Sequence, residues 1–140
     1  MAIKGLKGVL SNLSKFGNDA KKSVEIITGI VAENIVSDAK FLAPLDNGDL
    51  KQSIHLVEMD KYSYKIVAGA PYAAYMEFGT GGLVDVPIEL KDVAIQFKGK
   101  GIRQVNIEPR PYLYPAWKKG QKDYVKDLKD ELKTLTKKYN

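Results

Sequence analysis

The residue types that usually carry catalysis are scarce in this chain. It has no cysteine and a single histidine, His55. Without cysteine there is no disulfide, no thiolate nucleophile and no sulfur-ligated metal. A Ser-His-Asp triad would have to pass through His55, and no motif places an acid or a nucleophile beside it. We therefore predict that His55 is an ordinary, half-exposed strand residue.

Two other patterns could do chemistry. Asp46, Asp49 and Glu77 lie in turn-like segments, and converging carboxylates can act as an acid–base pair or hold Mg²⁺. Nothing in the sequence fixes their distances, and carboxylates near turns more often bond backbone N–H groups. The loop over residues 79–82 is glycine-rich, but it lacks the Gly-Lys-Ser/Thr ending of a P-loop. The sequence thus predicts no catalytic, cofactor-binding or metal-binding residue.

Length and composition indicate one globular domain spanning residues 1–140. Apolar residues make up 44% and charged residues 28%, both near globular averages. The formal net charge is +5, and residues 117–140 hold eight lysines and four acids. This excess favours a weak attraction for polyanions and falls short of a dedicated nucleic-acid binder. No signal peptide or membrane span is expected, since Lys4 and Lys7 interrupt the N-terminal segment and no apolar run is long enough.

A long helix is predicted over residues 2–42. Heptad steps from Ile3 and Leu6 meet eight apolar residues in ten positions, which is typical of one buried helix face. A break is expected at residues 17–19, because glycine is a poor helix former and the asparagine after it could cap a second helix. The helix should end near residue 42, because Pro44 disfavours helical backbone in the residue before it. The stripe packs either on the protein's own sheet or against another subunit, and both interpretations stay open.

A hairpin is predicted next. Residues 44–50 form a turn around Asn47-Gly48. Segments 53–59 and 62–68 are rich in β-branched and aromatic residues and predict two antiparallel strands.

Helical segments and one strand follow the hairpin. Pro71 and Gly79 predict the start and stop of a short helix. A second short helix over residues 87–97 and a strand over residues 102–107 precede an extended, proline-rich segment. A final helix runs from Pro115 to about Lys138, with lysines on one face and on the other the apolar stripe Trp117, Tyr124, Val125, Leu128, Leu132, Leu135 and Tyr139.

These elements predict an α+β fold in which a twisted antiparallel β-sheet is flanked by the long N-terminal helix and the C-terminal helix. The predicted regions are helix to residue 42, sheet with short helices over 43–114, and helix over 115–138. Tyrosines and the tryptophan cluster in the middle of the chain, and such residues suit both cores and protein–protein interfaces.

Three segments together carry a resemblance. They are residues 43–54 (APLDNGDLKQSI), residues 72–80 (YAAYMEFGT) and residues 109–116 (PRPYLYPA). Their order and spacing resemble the minor tail-component, or tail-completion, family of long-tailed bacteriophages and prophage-like elements. Members of that family are head–tail joining (neck) proteins. The chain departs from the shortest family pattern between Gly82 and Asn106, where it is longer.

The resemblance implies roles in fold or interface rather than catalysis. Tyr72, Tyr75 and Phe78 are expected to pin the short helix to the sheet, and Glu77 to pair with Lys51 or Arg110. The residues carried over are Pro44, Gly48, Leu50, Ser53, Ile54, Tyr72, Tyr75, Glu77, Phe78, Gly79, Thr80, Pro111, Leu113, Pro115 and Ala116.

The resemblance also implies a structural function in the virion. The expected subunit forms a ring, six-fold like the tail tube, that completes the tail and meets the head connector. Its expected partners are copies of itself, the tail tube or tail terminator protein, the head connector protein and the passing genomic DNA. The basic C-terminal segment suggests that lysines of that segment or of the 98–103 loop contact this DNA, with Lys98, Lys100 and Arg103 as the loop candidates. Assembly would take place in the host bacterial cytoplasm, with no membrane partner. The alternatives are a small nucleic-acid-binding protein of a mobile element, favoured by the pI near 9.2, and a hydrolase using His55.

Overall fold

A computed structural model describes residues 5–45, 48–80, 85–94 and 107–139 of the chain. Helix α1 spans Leu6–Leu42 and helix α2 spans Asp49–Ser53. Strands β1 (Ile54–Asp60) and β2 (Ser63–Ala68) form an antiparallel hairpin. Helix α3 spans Ala73–Phe78, a 3₁₀ turn over Ile88–Leu90 leads into α4 (Lys91–Ala94), and α5 spans Leu113–Lys138. This is the predicted α+β class.

Helices α1 and α5 pack side by side and run in opposite directions. Lys119, near the start of α5, bonds Asp38 at 3.0 Å, whereas Lys138 at its end bonds Asp19 at 3.1 Å. Between them the Tyr124 hydroxyl lies 2.8 Å from Oγ1 of Thr28. The hairpin also packs on α1, where a Cβ on Gly29 would lie 3.1 Å from the Tyr64 hydroxyl. The C-terminal two-thirds of α1 is therefore the central element that both α5 and the sheet cover.

The core lies where these elements meet. It joins residues of α1, the α1–α2 connection, the hairpin, α3 and the start of α5: Val31, Ile35, Ala39, Ala43, Leu50, Ile54, Ala73, Tyr112 and Ala116. The three largest fully buried side chains are Tyr112, Leu50 and Ile54. All three sequence segments that carry the resemblance, 43–54, 72–80 and 109–116, thus contribute residues to one core.

The end of α1 is as predicted, and the predicted break is wrong. Ala43 adopts extended backbone (φ −62°, ψ 139°), so the helix stops at Leu42. Residues 17–19 stay helical. A glycine costs a helix only about 1 kcal/mol, and tertiary contacts bracket it: Phe16 packs edge-on against Tyr139, and Asp19 accepts bonds from Lys138 and Tyr139.

The hairpin follows the predicted strands closely. Ile54 pairs with Ala68 and Glu58 with Tyr64, and the register shifts between Glu58 and Asp60. The Asp60 carboxylate accepts the Tyr62 backbone N–H at 2.8 Å, which closes the turn. The predicted turn over 44–50 is shorter than expected, because Asp49 and Leu50 already belong to α2.

Two features of the second half differ from prediction. Helix α5 begins at Leu113, two residues before Pro115, because the first turn of a helix leaves its N–H groups unbonded and tolerates proline. The buried side of α5 is Ala116, Gly120 and Leu135, while Trp117, Val125 and Leu132 of the predicted stripe are 42–53% exposed. Of the predicted helix 87–97, residues 87–94 are described, and Ile88–Ala94 is helical. The predicted strand 102–107 lies outside the described residues except for Ile107.

Candidate assembly site

The Glu77 carboxylate is a charged group buried between α3 and the start of α5. Glu77 is 6% exposed and sits on α3. Its Oε2 accepts the backbone N–H groups of Tyr112 (2.8 Å) and Leu113 (2.9 Å), and its Oε1 accepts that of Tyr114 (2.8 Å). These N–H groups belong to the start of α5 and have no partner within their own helix. The carboxylate therefore caps a helix far away in sequence, and its negative charge faces the positive end of that helix.

The Tyr112 side chain makes a second link between α3 and the start of α5. Its side chain is 1% exposed, and its hydroxyl donates to the Ala73 carbonyl at the start of α3 at 3.1 Å. Burial raises the pKa of the Tyr112 phenol above its ordinary value of 10.0, and the charge of Glu77 and the neighbouring Tyr72 act in the same direction. The phenol is thus held in its neutral, donating form.

Backbone hydrogen bonds extend this junction on both sides. The Arg110 N–H donates to the Met76 carbonyl at 2.8 Å. The Thr80 N–H donates to the Ile107 carbonyl at 3.0 Å, and the Ile107 N–H returns a bond to Oγ1 of Thr80 at 2.9 Å. We call the set formed by Glu77, Tyr112, Thr80 and Ile107 the clamp. It joins residues 72–80 to residues 107–114. These two regions are about thirty positions apart in the sequence.

An apolar groove lies beside the clamp. Its volume is ≈ 380 Å³, and it is lined by Tyr64, Lys65, Ile66, Glu77, Phe78, Leu90, Leu113, Tyr114 and Trp117. One wall is formed by strand β2 and the other by the start of α5. Because the clamp fixes α3 against α5, it also fixes the positions of Phe78 and Leu113, which line the groove.

Large apolar side chains are exposed on several other surfaces. Leu6, Val9, Leu10 and Leu13 are 51–61% exposed along the N-terminal part of α1. At the other end of that helix Phe41 is 84% and Leu45 75% exposed. Contiguous exposed apolar surface is typical of protein–protein contacts.

The predicted motif residues are placed as follows. Leu50, Ile54, Ala116, Gly79 and Glu77 are buried, whereas Pro44, Gly48, Ser53, Tyr72, Phe78, Thr80 and Leu113 are half-buried and Tyr75, Pro111 and Pro115 are exposed. Gly48 and Gly79 have positive φ (76° and 75°), which favours glycine at both positions.

The buried side of α3 is not the predicted one. Ala73 and Glu77 face the core, while Tyr75 is 36% exposed. The aromatic spacing predicted that Tyr72, Tyr75 and Phe78 hold the helix to the sheet; Tyr72 and Phe78 are half-buried, and Tyr72 packs against the core. The partners that the structure shows for the Glu77 carboxylate are backbone N–H groups of a helix start, and the expected pair with Lys51 or Arg110 stays a prediction.

No catalytic arrangement is visible in the described part of the chain. His55 is exposed, and its Nδ1 lies 2.9 Å from the Ser53 carbonyl oxygen. Among the described residues no group of three or more histidines and acids could hold a metal ion. Within the same ranges no helix has the length and apolar character needed to cross a bilayer. Lys98, Lys100, Arg103, Asp46 and the loop at 81–82 lie outside the described residues.

Sequence reasoning missed Tyr112 and Gly120 as determinants of the fold. A Cβ on Gly120 would lie 2.2 Å from Cγ1 and 2.4 Å from Cδ1 of Ile35, so glycine lets the two long helices approach closely. The signal for Gly120 was a glycine in the middle of a strongly helical segment, which usually has a packing reason. Tyr112 carried no local signal, because its partners are remote in sequence.

Fold and site define a small α+β assembly protein: a helical scaffold, a clamped junction and several exposed apolar surfaces. A family model described as "Bacteriophage HK97-gp10, putative tail-component" matches residues 7–79, slightly more than half of the chain. The chain belongs to this family of phage tail components and is a structural phage protein. No curated protein and no solved structure matches the chain significantly. The matched region ends at Gly79. The clamp connects the segment 109–116, which lies outside that region, to its end.

Proposed function

We propose that this protein is a ring-forming subunit that completes the phage tail at its upper end and joins it to the head connector. Family membership supports the coarser part, a structural tail component. The ring, six-fold like the tail tube, and the neck position are the finer part of the proposal. The partners are copies of the chain, the tail tube or tail terminator protein and the head connector protein. The site of action is the virion, with assembly in the bacterial cytoplasm.

The observation that carries the proposal is the distribution of exposed apolar side chains. They lie on separate surfaces: the start of α1, the end of α1 with Phe41 and Leu45, and the turn at Ile88. A subunit in a ring needs a contact on each side for its neighbours and further contacts above and below for other virion proteins. Several distinct apolar patches on one small scaffold fit that requirement better than one binding site would.

A row of lysines on α5 supports contact with the passing DNA. Lys122, Lys126, Lys129 and Lys133 follow one another at helical spacing, are exposed and share their surface with one acid, Asp130. A row of this kind attracts phosphates without reading sequence. In the proposed ring this face of α5 lines the channel.

Deletion of the gene from the parent phage or prophage tests the function. We expect heads and tails to accumulate separately, to be counted by negative-stain electron microscopy, and joining to be restored by the gene supplied in trans. Antibody label should mark the head-proximal end of the tail in wild-type particles. Intact headed particles in the deletion strain would contradict the proposal.

The competing function, a nucleic-acid-binding protein of a mobile element, is distinguished by salt. It predicts a tight complex with duplex DNA whose affinity falls steeply between 50 and 200 mM salt, roughly 10³-fold or more for six or more phosphate contacts. The ring subunit, whose lysines meet DNA only when many copies surround it, should bind free duplex weakly as a single chain. Replacement of Lys126 and Lys129 by Gln should then alter DNA retention in particles and leave head–tail joining unchanged.

A further inference from the structure

The first turns of α1 project beyond the end of α5. Phe16 packs against Tyr139 and Asp19 bonds Lys138, and α5 ends at Lys138. Because the two helices are antiparallel, the residues of α1 before Phe16 continue past the end of α5. At 1.5 Å per residue this is a projection of roughly 15 Å. We call residues 6–13 the arm.

The arm carries one apolar stripe and no acid. Leu6, Leu10 and Leu13 follow at spacings of four and three, so they share a face, and they are 51%, 57% and 61% exposed. Lys7 and Lys15 are the charged residues from Gly5 to Asn18, and the helix start adds its positive dipole end. The arm is thus an apolar and positively charged element.

The groove beside the clamp is complementary in both respects. Its lining is apolar and aromatic, with Ile66, Phe78 and Trp117 among its residues, and its ≈ 380 Å³ suits a few aliphatic side chains. The adjoining segment 85–92 carries Asp85, Glu89 and Asp92 against Lys91.

Charges on the other side of the groove are mixed. Desolvation raises the pKa of the Tyr64 hydroxyl, and the negative charges of Glu58, Glu25 and Glu33 add to the effect. Lys65 lines the groove, and Lys118 is bonded to Glu89 at 3.3 Å. The segment 85–92, which contributes Leu90 to the groove lining, is therefore the part beside the groove that attracts a positively charged helix, mainly through Asp85 and Asp92.

The arm cannot reach the groove of its own chain. The groove lies at the start of α5, which packs beside Asp38 and Ile35 of α1. Leu13 is 22 residues before Ile35 on a continuous helix, a separation of roughly 33 Å along the axis. An arm that fills the groove therefore belongs to another copy of the chain.

We propose that the arm of one copy inserts Leu6, Leu10 and Leu13 into the groove of the next copy. The contact joins two different surfaces, so repetition about an axis closes a ring. It rests on the proposed ring function and names the contact that builds the ring. Residues 85–92 of the second copy face the arm's lysines and set its direction.

Disulfide crosslinking tests the contact, because the chain has no cysteine of its own. The double variant Leu10→Cys/Lys65→Cys places one thiol on the arm and one at the groove. Oxidised in purified particles and as concentrated purified protein, it should give a ladder of covalent oligomers on a non-reducing gel. The matched control Leu10→Cys/Ile26→Cys, with the second thiol at an exposed position in the middle of α1, should give no ladder. An equal ladder from the control, no ladder from either, or dimers from Leu10→Cys alone would overturn the contact; the last result means that arms pair with one another.

A charge variant separates this contact from the ring function itself. Leu10→Glu should fold like the wild type, since Leu10 is exposed, and should lose incorporation into tails at least tenfold. The control Ile26→Glu, at a 59% exposed position in the middle of α1, should be incorporated normally. Normal incorporation of Leu10→Glu would overturn the arm contact and leave the proposed function standing. Absence of the wild-type chain from purified particles would overturn the function, and the crosslinks of the purified protein would still decide the contact.

Discussion

Gly120 of α5 lies directly against Ile35 of α1, so closely that a Cβ on Gly120 would overlap the isoleucine side chain at 2.2 Å from Cγ1. Both residues are buried. Isoleucine is confined to few rotamers in a helix, so it cannot turn away without cost. The close approach sets how the two long helices pack.

Gly120→Ala is therefore expected to destabilise the fold by about 1–3 kcal/mol, the usual range for overpacking. The gain in helix propensity, about 1 kcal/mol, acts in the opposite direction and is smaller. Urea unfolding followed by circular dichroism measures the difference.

Gly17→Ala is the matched control for this prediction. Gly17 is also inside a long helix, and within the described part of the chain a Cβ there meets no atom within 4 Å. It should be neutral or stabilising by up to about 1 kcal/mol. If the two alanine substitutions change the free energy of unfolding in the same direction, close packing against Ile35 is not the reason for glycine at position 120. Rescue of Gly120→Ala by Ile35→Ala would confirm the specific contact.

The second prediction concerns the clamp. Glu77→Gln keeps the shape of the side chain, but it removes the charge and turns one oxygen into a donor that faces a backbone N–H. At least one buried N–H at the start of α5 loses its acceptor, and we expect a loss of about 2–4 kcal/mol. Amide exchange of Tyr112, Leu113 and Tyr114 should accelerate more than exchange elsewhere.

Glu89→Gln provides the comparison for Glu77→Gln. Glu89 is bonded to Lys118, but its side chain is 58% exposed, and exposed pairs contribute little. Its unfolding midpoint should stay near that of the wild type. Equal stability of the two variants would show that the Glu77 bonds are unimportant.

The third prediction is a dependence of stability on alkaline pH. The pKa of Tyr112 is raised in the folded chain, so its contribution is complete below the ordinary value of 10.0 and declines as pH rises beyond it, when only the unfolded chain ionises. Tyr112→Phe removes this titration and the bond to the Ala73 carbonyl. It should lower stability at pH 7 by about 1 kcal/mol and lose stability less steeply above pH 10. Parallel curves for the two proteins would rule out the buried phenol as the cause.

The fourth prediction concerns acid and the far end of the helix pair. The bond from Tyr139 and the bond from Lys138 lower the pKa of Asp19 below 3.8. Its contribution is present above that value and is lost as pH falls through the lowered pKa. Between pH 5 and pH 2 the wild-type melting temperature should fall more steeply than that of Asp19→Asn. Amide exchange near Leu135 reports the loosening of α5, and identical slopes would contradict the prediction.

The sequence was most informative where the signal is local. Pro44 ended α1 at Leu42, because proline restricts the residue before it wherever it occurs. Alternating β-branched residues marked both strands, and the apolar period marked the long helices. The expected break at Gly17 failed because the cost of one glycine is small compared with the contacts that Phe16 and Asp19 make to α5.

The site was much less predictable. Which side of α3 is buried depends on Glu77 finding three N–H groups more than thirty residues later, and no local pattern records such a partner. The exposed side of α5 was misjudged for the same reason: Trp117 and Leu132 look like core residues until Gly120 and Ala116 are seen against α1.

The sequence by itself determined the element types, the ends set by proline and glycine, and the scarcity of catalytic residues, because each follows from a residue and its near neighbours. Only the tertiary structure decided that Glu77 caps α5, that Gly120 brings two helices together and that the arm projects past its partner. These features depend on contacts between residues far apart in the chain. The energy of such contacts, a few kcal/mol each, outweighs the weaker local preferences that a sequence displays.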